Sequence, residues 1–155
     1  MKKPSYSLNQ PGDPLAELVA QTDQRTLAVW AIDCTERVLP YFEEPFPHDP
    51  RPRQALVILR EWIESGVFRM AAIRGASLAA HAAARDVGED SPARSAARAA
   101  GQAVATAHVP RHALGAARYA QQAVHRTADA ETTAAALADE WDWQVRHLRA
   151  LRQVR

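Results

Sequence analysis

The sequence contains one cysteine and only two lysines among its 155 residues. A single cysteine, Cys34, excludes an intramolecular disulfide and a zinc site built from several thiolates. The lysines are Lys2 and Lys3, so arginine supplies almost all of the positive charge. Because alanine is abundant as well, the codon usage of a GC-rich genome explains the many arginines better than dedicated anion recognition does.

The sequence also lacks a large excess of positive or negative charge, and it lacks long apolar runs. The formal net charge is +1, which argues against a broad surface for nucleic acid or for a membrane. The first residues, MKKPSYSLNQPGDP, have no apolar signal-peptide core, and no later run is long enough to span a bilayer. The sequence therefore predicts a cytoplasmic protein with neither a nucleic-acid nor a membrane partner.

No segment shows the alternation of polar and apolar residues that is typical of β-strands. Signals for helix ends are present instead: Asp13 before Pro14, Ser91 before Pro92, and Gly66 as a stop. Together with helical apolar stripes, these signals predict an all-α protein, an alanine-rich bundle of about six or seven helices.

The length allows one domain with a real core. We expect a flexible tail over residues 1–12 and a single helical domain over residues 13–155. Alanine buries little area, so larger side chains must hold the helices together. The predicted anchors are Trp30, Leu39, Phe42, Leu59, Trp62, Ile63, Leu78, Tyr119 and Trp141.

Four prolines interrupt the segment EEPFPHDPRP, residues 43–52. They predict a rigid connection that runs over the surface between two helices. Arg51 and Arg53 are expected on this connection. A stiff segment loses little entropy on binding, so the two arginines are candidate cationic contacts for a partner.

Two histidines, His108 and His112, have the spacing of a helical metal site, but Pro110 lies between them. Proline disfavours helix at the preceding residue, so we expect His108 to end one helix and His112 to lie in the first turn of the next. Val109 also occupies the position where a metalloprotease helix needs glutamate. The pair therefore predicts no catalytic zinc helix.

His81 and Arg85 lie one turn apart on a predicted helix, and Gly101 lies within another. A glycine inside a helix costs about 1 kcal/mol relative to alanine, so Gly101 is expected to permit close approach by another element. Two interpretations stay open. The histidines are core residues satisfied by hydrogen bonds, or His81, His108 and His112 form a polar pocket with Arg85 and Tyr119. No metal or other cofactor is predicted, since a three-histidine site would need three helices to converge.

The first long helix carries a core stripe of Leu27, Ala31, Cys34 and Val38. A half-buried Trp30 is expected beside this stripe. Asp33 and Arg37 have the favourable acid-before-base spacing of four, which predicts an ion pair on the helix surface. The alternative is that Asp33 holds Arg37, or an arginine of the connection, inside a binding cleft.

Several segments in succession match a known pattern: DQRTLAVWAIDCTERVLPYFE, DPRPRQAL, AAHAAARD, AARAAGQAVATAHV and HALGAARYAQQAV. In this order they resemble a family of bacterial immunity proteins classed as immunity type five-like, over about residues 23–126. The most specific part is ATAHV followed by HALGAARYA. The residues other than alanine that carry the resemblance are Trp30, Asp33, Arg37, Arg51, Pro52, Arg53, Trp62, His81, Arg85, His108, His112 and Tyr119.

The resemblance implies a cytoplasmic antidote that binds a cognate protein toxin of a polymorphic toxin system and blocks it by occlusion, without turnover. The residues alone leave an alternative open, a small helical ligand-binding protein or enzyme that uses a pocket of His81, His108 and His112. Because the sequence has no nucleophile elbow, phosphate loop or glutamate–histidine metal motif, we predict that the protein is not an enzyme. A homodimer is left open.

Overall fold

The computed structural model describes residues 1–154, in which the chain forms eight helices and no strand. The all-α prediction is confirmed, and the count exceeds six or seven because Pro40 begins a separate short helix. Proline lacks an N–H and is tolerated in the first turn of a helix, so the chain turns after α2 and restarts at this residue. In chain order the helices are α1 Pro14–Ala20, α2 Gln24–Glu36, α3 Pro40–Glu43, α4 Arg51–Ser65, α5 Met70–Arg85, α6 Pro92–Ala105, α7 His112–Thr127 and α8 Thr133–Gln153.

The predicted helix ends are confirmed where local chemistry defines them. The Asp13 side chain accepts a hydrogen bond from the Leu15 N–H, and the Ser91 side chain accepts one from the Arg94 N–H. Gly66 ends α4 with a φ of 70°, the left-handed conformation that glycine adopts without strain. Among the described helices, none combines the length and the apolar character that a membrane span requires.

Helix α6 lies at the centre of the bundle and contacts α2, α3, α4, α5 and α7. Its buried positions are mostly alanine, with Gly101 and Val104 among them. Small side chains allow neighbouring helices to pack close to its axis, and larger residues elsewhere bury more apolar area. Trp30, Phe42 and Leu59 are fully buried, as predicted for core anchors.

Leu78 was expected in the core, and this prediction is wrong. Its side chain is 58% exposed. Helix α5 packs mainly against α4 and α6, so its other side faces solvent. A helical pattern identifies which residues share a face, but it does not show how many neighbouring helices cover that face.

A buried ion pair joins the start of α1 to α7. Asp13 and Arg118 approach to 2.5 Å, and their side chains are only 7% and 5% exposed. The indole N–H of Trp141 on α8 also donates to the Asp13 carboxylate, over 3.1 Å. One carboxylate therefore caps α1, neutralises a buried arginine and anchors a tryptophan.

Further polar contacts extend from this pair through the interior. The Gln121 amide donates to Gln144 over 2.7 Å, and Gln144 donates to Glu140 over 3.3 Å. Glu140 in turn pairs with Arg37 at 2.9 Å. Within residues 1–154, every buried side-chain nitrogen and oxygen has a hydrogen-bond partner. The polar contacts therefore begin and end at an ion pair, Asp13 with Arg118 and Glu140 with Arg37, so that each buried charge is neutralised by an opposite one.

Residues 1–12 have no helix or strand and lie beside α7. The Tyr6 hydroxyl lies 2.8 Å from the Arg118 carbonyl oxygen, and a ring nitrogen of His125 lies 2.7 Å from the Pro4 carbonyl oxygen. Burial raises the pKa of the Tyr6 phenol. The flexibility expected for this segment stays a prediction.

Candidate functional site

The candidate site lies where α5 crosses α6, and we call it the α5–α6 seam. On α5, Ser77, His81 and Arg85 recur at helical spacing, so they share one side of the helix. On α6, Arg94, Arg98 and Gly101 do the same. The Ser77 hydroxyl donates to the Gly101 carbonyl oxygen over 2.9 Å, which places the two faces against each other. These six residues define the seam.

The imidazole of His81 lies directly over Gly101. A Cβ at Gly101 would be 2.6 Å from the His81 Nε2 atom and 2.8 Å from its Cε1 atom. Carbon atoms essentially never approach ring atoms that closely, so no larger residue fits without displacement. The expected close approach at Gly101 is thereby confirmed, and the approaching element is the His81 ring.

Arg98 defines the protonation state of His81. Its Nη1 atom lies 2.9 Å from the His81 Nδ1 atom. A guanidinium has only donors, so Nδ1 accepts and the imidazole carries its proton on Nε2. Burial lowers the pKa of His81 to about 4, and the positive charges of Arg98 and Arg85 act in the same direction. The imidazole is therefore neutral at neutral pH.

We expect the free energy of unfolding to fall as the pH drops from about 6.5 to about 4. His81 binds a proton near pH 6.5 in the unfolded chain, but only near pH 4 in the folded chain. The contribution of His81 to the free energy of unfolding is therefore complete above its pKa in the unfolded chain. It is lost as the pH falls to its pKa in the folded chain. Burial also lowers the pKa of His112, which acts in the same sense.

Urea denaturation at several pH values measures this dependence. The His81→Gln variant lacks the titrating ring and is expected to lose less stability across that range than the wild type does. If the free energy of unfolding fell with pH equally steeply in the two proteins, the pH dependence would not come from His81.

The other two histidines have contacts of their own. His112 begins α7, as predicted, and its Nδ1 atom lies 2.8 Å from the Gln102 Oε1 atom, to which it donates. His108 follows α6 and is exposed, with its ring stacked on Phe68 at a centroid distance of 6.1 Å. The residues of the described chain include no group of three or more potential ligands positioned to hold a metal ion. His112 nevertheless lies near enough to His81 to act on it, since burial and then the charges of Arg98, Arg85 and His112 lower the pKa of His81. A pocket shared by the three histidines stays a prediction.

Tyr119 is half-buried on α7. It lines a cleft between α7 and the N-terminal segment, together with Leu8, Arg111 and Leu114. Tyr119 also lies within reach of Arg98 in the seam, because burial lowers the pKa of Arg98 and the Tyr119 phenol acts in the opposite direction. A pocket that joins the histidines, Arg85 and Tyr119 stays a prediction.

The candidate residues of α2 differ from expectation. Trp30 is fully buried, which confirms it as a core anchor but not the half-buried position expected beside the stripe, and its indole N–H donates to the Gln144 carbonyl oxygen over 2.9 Å. Asp33 contacts His147 of α8 at 2.7 Å, and Arg37 pairs with Glu140. The expected pair within α2 is replaced because α8 crosses this helix and supplies both partners.

Arg51 and Arg53 lie in the first turn of α4, so their predicted position on the connection is wrong. The first-turn N–H groups of a helix have no intrahelical acceptor, which allows α4 to include Pro52 near its start. Arg51 pairs with Asp49 and Asp86, both at 2.7 Å. Arg53 pairs with two further carboxylates, at 2.6 and 2.7 Å.

These ion pairs change the interpretation of the two arginines. Four carboxylates already neutralise them, and the contacts join the start of α4 to Glu36, Glu43 and the residue that follows α5. Their local role is to attach neighbouring segments to one another. Their carboxylate partners make the two arginines less suited to be the main cationic contact for a partner.

The charge that sequence reasoning missed lies on α5 and α6. Neither helix contains an aspartate or a glutamate, and α7 also has none. Arg85, Arg94 and Arg98 have no carboxylate within 4.0 Å among residues 1–154. Burial lowers the pKa of Arg98, and the charges of Arg94 and Arg85 add to that effect. The seam is therefore a cationic surface in a chain of nearly balanced charge.

A signal for this surface exists in the sequence. No acidic residue occurs between Asp90 and Asp129. Arg98 lies three positions before Gly101, so both residues face the same neighbour of α6. Net charge hides such an arrangement because the acids concentrate in other segments.

Comparison with known proteins adds one finding. A family model described as Imm-5 like putative immunity protein matches residues 17–151. The match extends beyond the expected core of about residues 23–126 and includes nearly all of α8, which supplies the partners of Asp33 and Arg37. No curated protein and no solved structure matches the chain significantly. The chain belongs to the Imm-5 like putative immunity protein family.

Proposed function

We propose that this protein binds a cognate bacterial toxin in the cytoplasm and neutralises it by occluding the surface that the toxin needs for activity. The observation that carries the proposal is the family match over residues 17–151, which includes almost the entire helical bundle. In this mechanism one immunity protein blocks one toxin molecule, and neither is chemically altered.

Several side chains that could be reactive have hydrogen-bond partners or are shielded from solvent. The Nδ1 atom of His81 accepts from Arg98, and the Nδ1 atom of His112 donates to Gln102. Both rings are therefore oriented by neighbours on α6. Cys34 is fully buried, and burial raises the pKa of its thiol, so the reactive thiolate form is disfavoured.

The alternative function, a ligand-binding protein or enzyme with a pocket of His81, His108 and His112, receives less support. It requires the three imidazoles to face one substrate. His108 instead stacks on Phe68, which precedes α5. Of the candidate residues, we keep His81, Arg85, His108 and His112 as proposed members or neighbours of the binding surface.

A growth assay tests the proposal. Each gene that neighbours the gene for this protein is tested as the toxin gene, and is expressed alone and together with it, at matched levels. We expect growth arrest with the toxin alone and restored growth with both proteins. Light scattering on the purified mixture is expected to give the mass of a one-to-one complex. Persistent growth arrest, with no complex formed, would overturn the proposal.

A titration separates occlusion from turnover. Purified toxin at a set concentration is mixed with increasing amounts of this protein, and residual toxin activity is measured. Occlusion predicts that inhibition becomes complete near equimolar protein and that the toxin keeps its original mass. Complete inhibition at a small fraction of equimolar protein, with a changed toxin mass, would instead indicate an enzyme.

A further inference from the structure

The outer side of α5 exposes several large apolar side chains close together. Phe68 is 44% exposed, Met70 is 45% exposed and Leu78 is 58% exposed. Met70, Arg74 and Leu78 are spaced by four residues, so they follow one line along the helix. With His108, which stacks on Phe68, these residues define what we call the α5 outer face. Exposed apolar side chains that lie close together often mark an interaction site.

A cleft opens within this face. Its volume is about 260 Å³, and it is lined by Met70, Ile73, Arg74, Ser77, Leu78, Ala105 and His108. The cleft lies between α5 and the end of α6, so two packed helices determine its shape. A depression with an apolar lining accepts an apolar side chain from another molecule.

The charge around the cleft has one sign. Among residues 1–154, its lining includes Arg74 and the titratable His108 but no carboxylate. Arg74 has no carboxylate within 4.0 Å among residues 1–154. Along the same two helices, the seam continues this face with Arg85, Arg94 and Arg98. Aromatic residues, methionine and arginine are the residue types enriched at protein interfaces.

A second copy of this chain does not fit the face well. Two-fold dimers place the same patch of each subunit against itself. That arrangement would bring Arg74 and the seam arginines of both copies together without carboxylates to separate them. Like charges facing each other across an interface cost several kcal/mol.

We propose that the α5 outer face and the adjoining α5–α6 seam form the docking surface for the toxin, and that the toxin presents an apolar side chain flanked by aspartate or glutamate. The apolar side chain enters the cleft beside Leu78, and the acidic residues pair with Arg74 and the seam arginines. The identity of the partner rests on the proposed function, whereas the position of the surface rests on exposure and charge.

Substitution at Leu78 tests the apolar half of the proposal. Leu78→Asp introduces a charge at the edge of the cleft, and its matched control is Val57→Asp. Val57 is an exposed apolar residue of α4 that does not line the cleft. By calorimetry with the purified toxin, we expect Leu78→Asp to weaken binding roughly tenfold or more and Val57→Asp to bind as the wild type does.

Charge reversal tests the electrostatic half. Arg74→Glu is compared with Arg149→Glu, which reverses an exposed arginine on α8. We expect Arg74→Glu to slow association with the toxin, with a difference that shrinks as salt is raised, because salt screens the attraction. Arg149→Glu is expected to associate at the wild-type rate.

The outcomes are distinguishable. If the wild-type protein does not bind the toxin, the proposed function fails and this inference fails with it. If the wild type binds and both the Leu78 and Arg74 variants bind equally well, the surface is wrong while the function stands. Sedimentation without toxin adds one more result: a wild-type dimer that Leu78→Asp dissociates would show that a second copy covers the face, which also overturns the inference. Circular dichroism checks that every variant is folded.

Discussion

Replacing Asp13 by alanine is expected to lower the free energy of unfolding by about 3–5 kcal/mol. The substitution leaves Arg118 as a buried charge without its carboxylate, and an uncompensated charge in a core is among the most costly defects. It also removes the acceptor of the Leu15 N–H at the start of α1 and of the Trp141 indole. Urea denaturation followed by tryptophan fluorescence measures the loss.

Asp142→Ala is the matched control for this prediction. Asp142 pairs with Arg146 on α8 at 2.8 Å, but their side chains are 58% and 66% exposed. Exposed pairs contribute about 0–1 kcal/mol, so little change is expected. The double variant Asp13→Ala/Arg118→Leu should recover part of the loss, because it removes the orphaned charge. Equal losses for Asp13→Ala and Asp142→Ala would contradict the assignment of a buried ion pair.

Gly101→Ala is expected to lower the free energy of unfolding by about 1–3 kcal/mol, although alanine favours helix by about 1 kcal/mol over glycine. The added methyl group would lie 2.6 Å from the His81 Nε2 atom. His81 is held in place by Arg98, so relief requires breaking that contact or separating α5 from α6. Thermal unfolding followed by circular dichroism compares the variant with the wild type.

Two other helical glycines provide controls. A Cβ at Gly75 on α5 meets no atom of residues 1–154 within 4 Å, so Gly75→Ala is expected to stabilise the protein by about 0.5–1 kcal/mol. A Cβ at Gly115 on α7 would meet the end of the Gln102 side chain, which can move if it gives up its hydrogen bond with His112, so Gly115→Ala is expected to cost less than Gly101→Ala. Stabilisation by Gly101→Ala as large as that by Gly75→Ala would show that the His81 ring is not confined.

The candidate site was predictable only in part. A glycine inside a helix and a histidine on an alanine-rich face indicated a close contact, and the structure joins Gly101 to His81. Arg98 was missed because it belongs to an alanine run whose low complexity conceals which residues share a face. The proposed docking surface was missed for a different reason, since Leu78 was expected in the core and is exposed instead.

Errors in the predicted ion pairs have a common origin. Spacing along one helix identified Arg37 as the partner of Asp33. In the folded chain Arg37 instead bonds Glu140, 103 residues away, and Asp33 bonds His147, 114 residues away. A neighbour four residues along is always near, but a carboxylate supplied by another helix and shielded from water attracts an arginine more strongly.

The sequence by itself determined the all-α class and the ends of α1, α4 and α6, because caps, first-turn prolines and terminal glycines act within one turn of the chain. Only the tertiary structure decided which charges are neutralised. Arg51 and Arg53 have carboxylate partners because α2, α3 and the end of α5 surround the start of α4. Within the described part of the chain Arg98 has none, because the acid-free helices α5 and α7 pack against α6. An arginine thus links neighbouring segments at one place and remains an unpaired cation at another. Ion pairing depends on which helices pack together, and distant parts of the chain determine that packing.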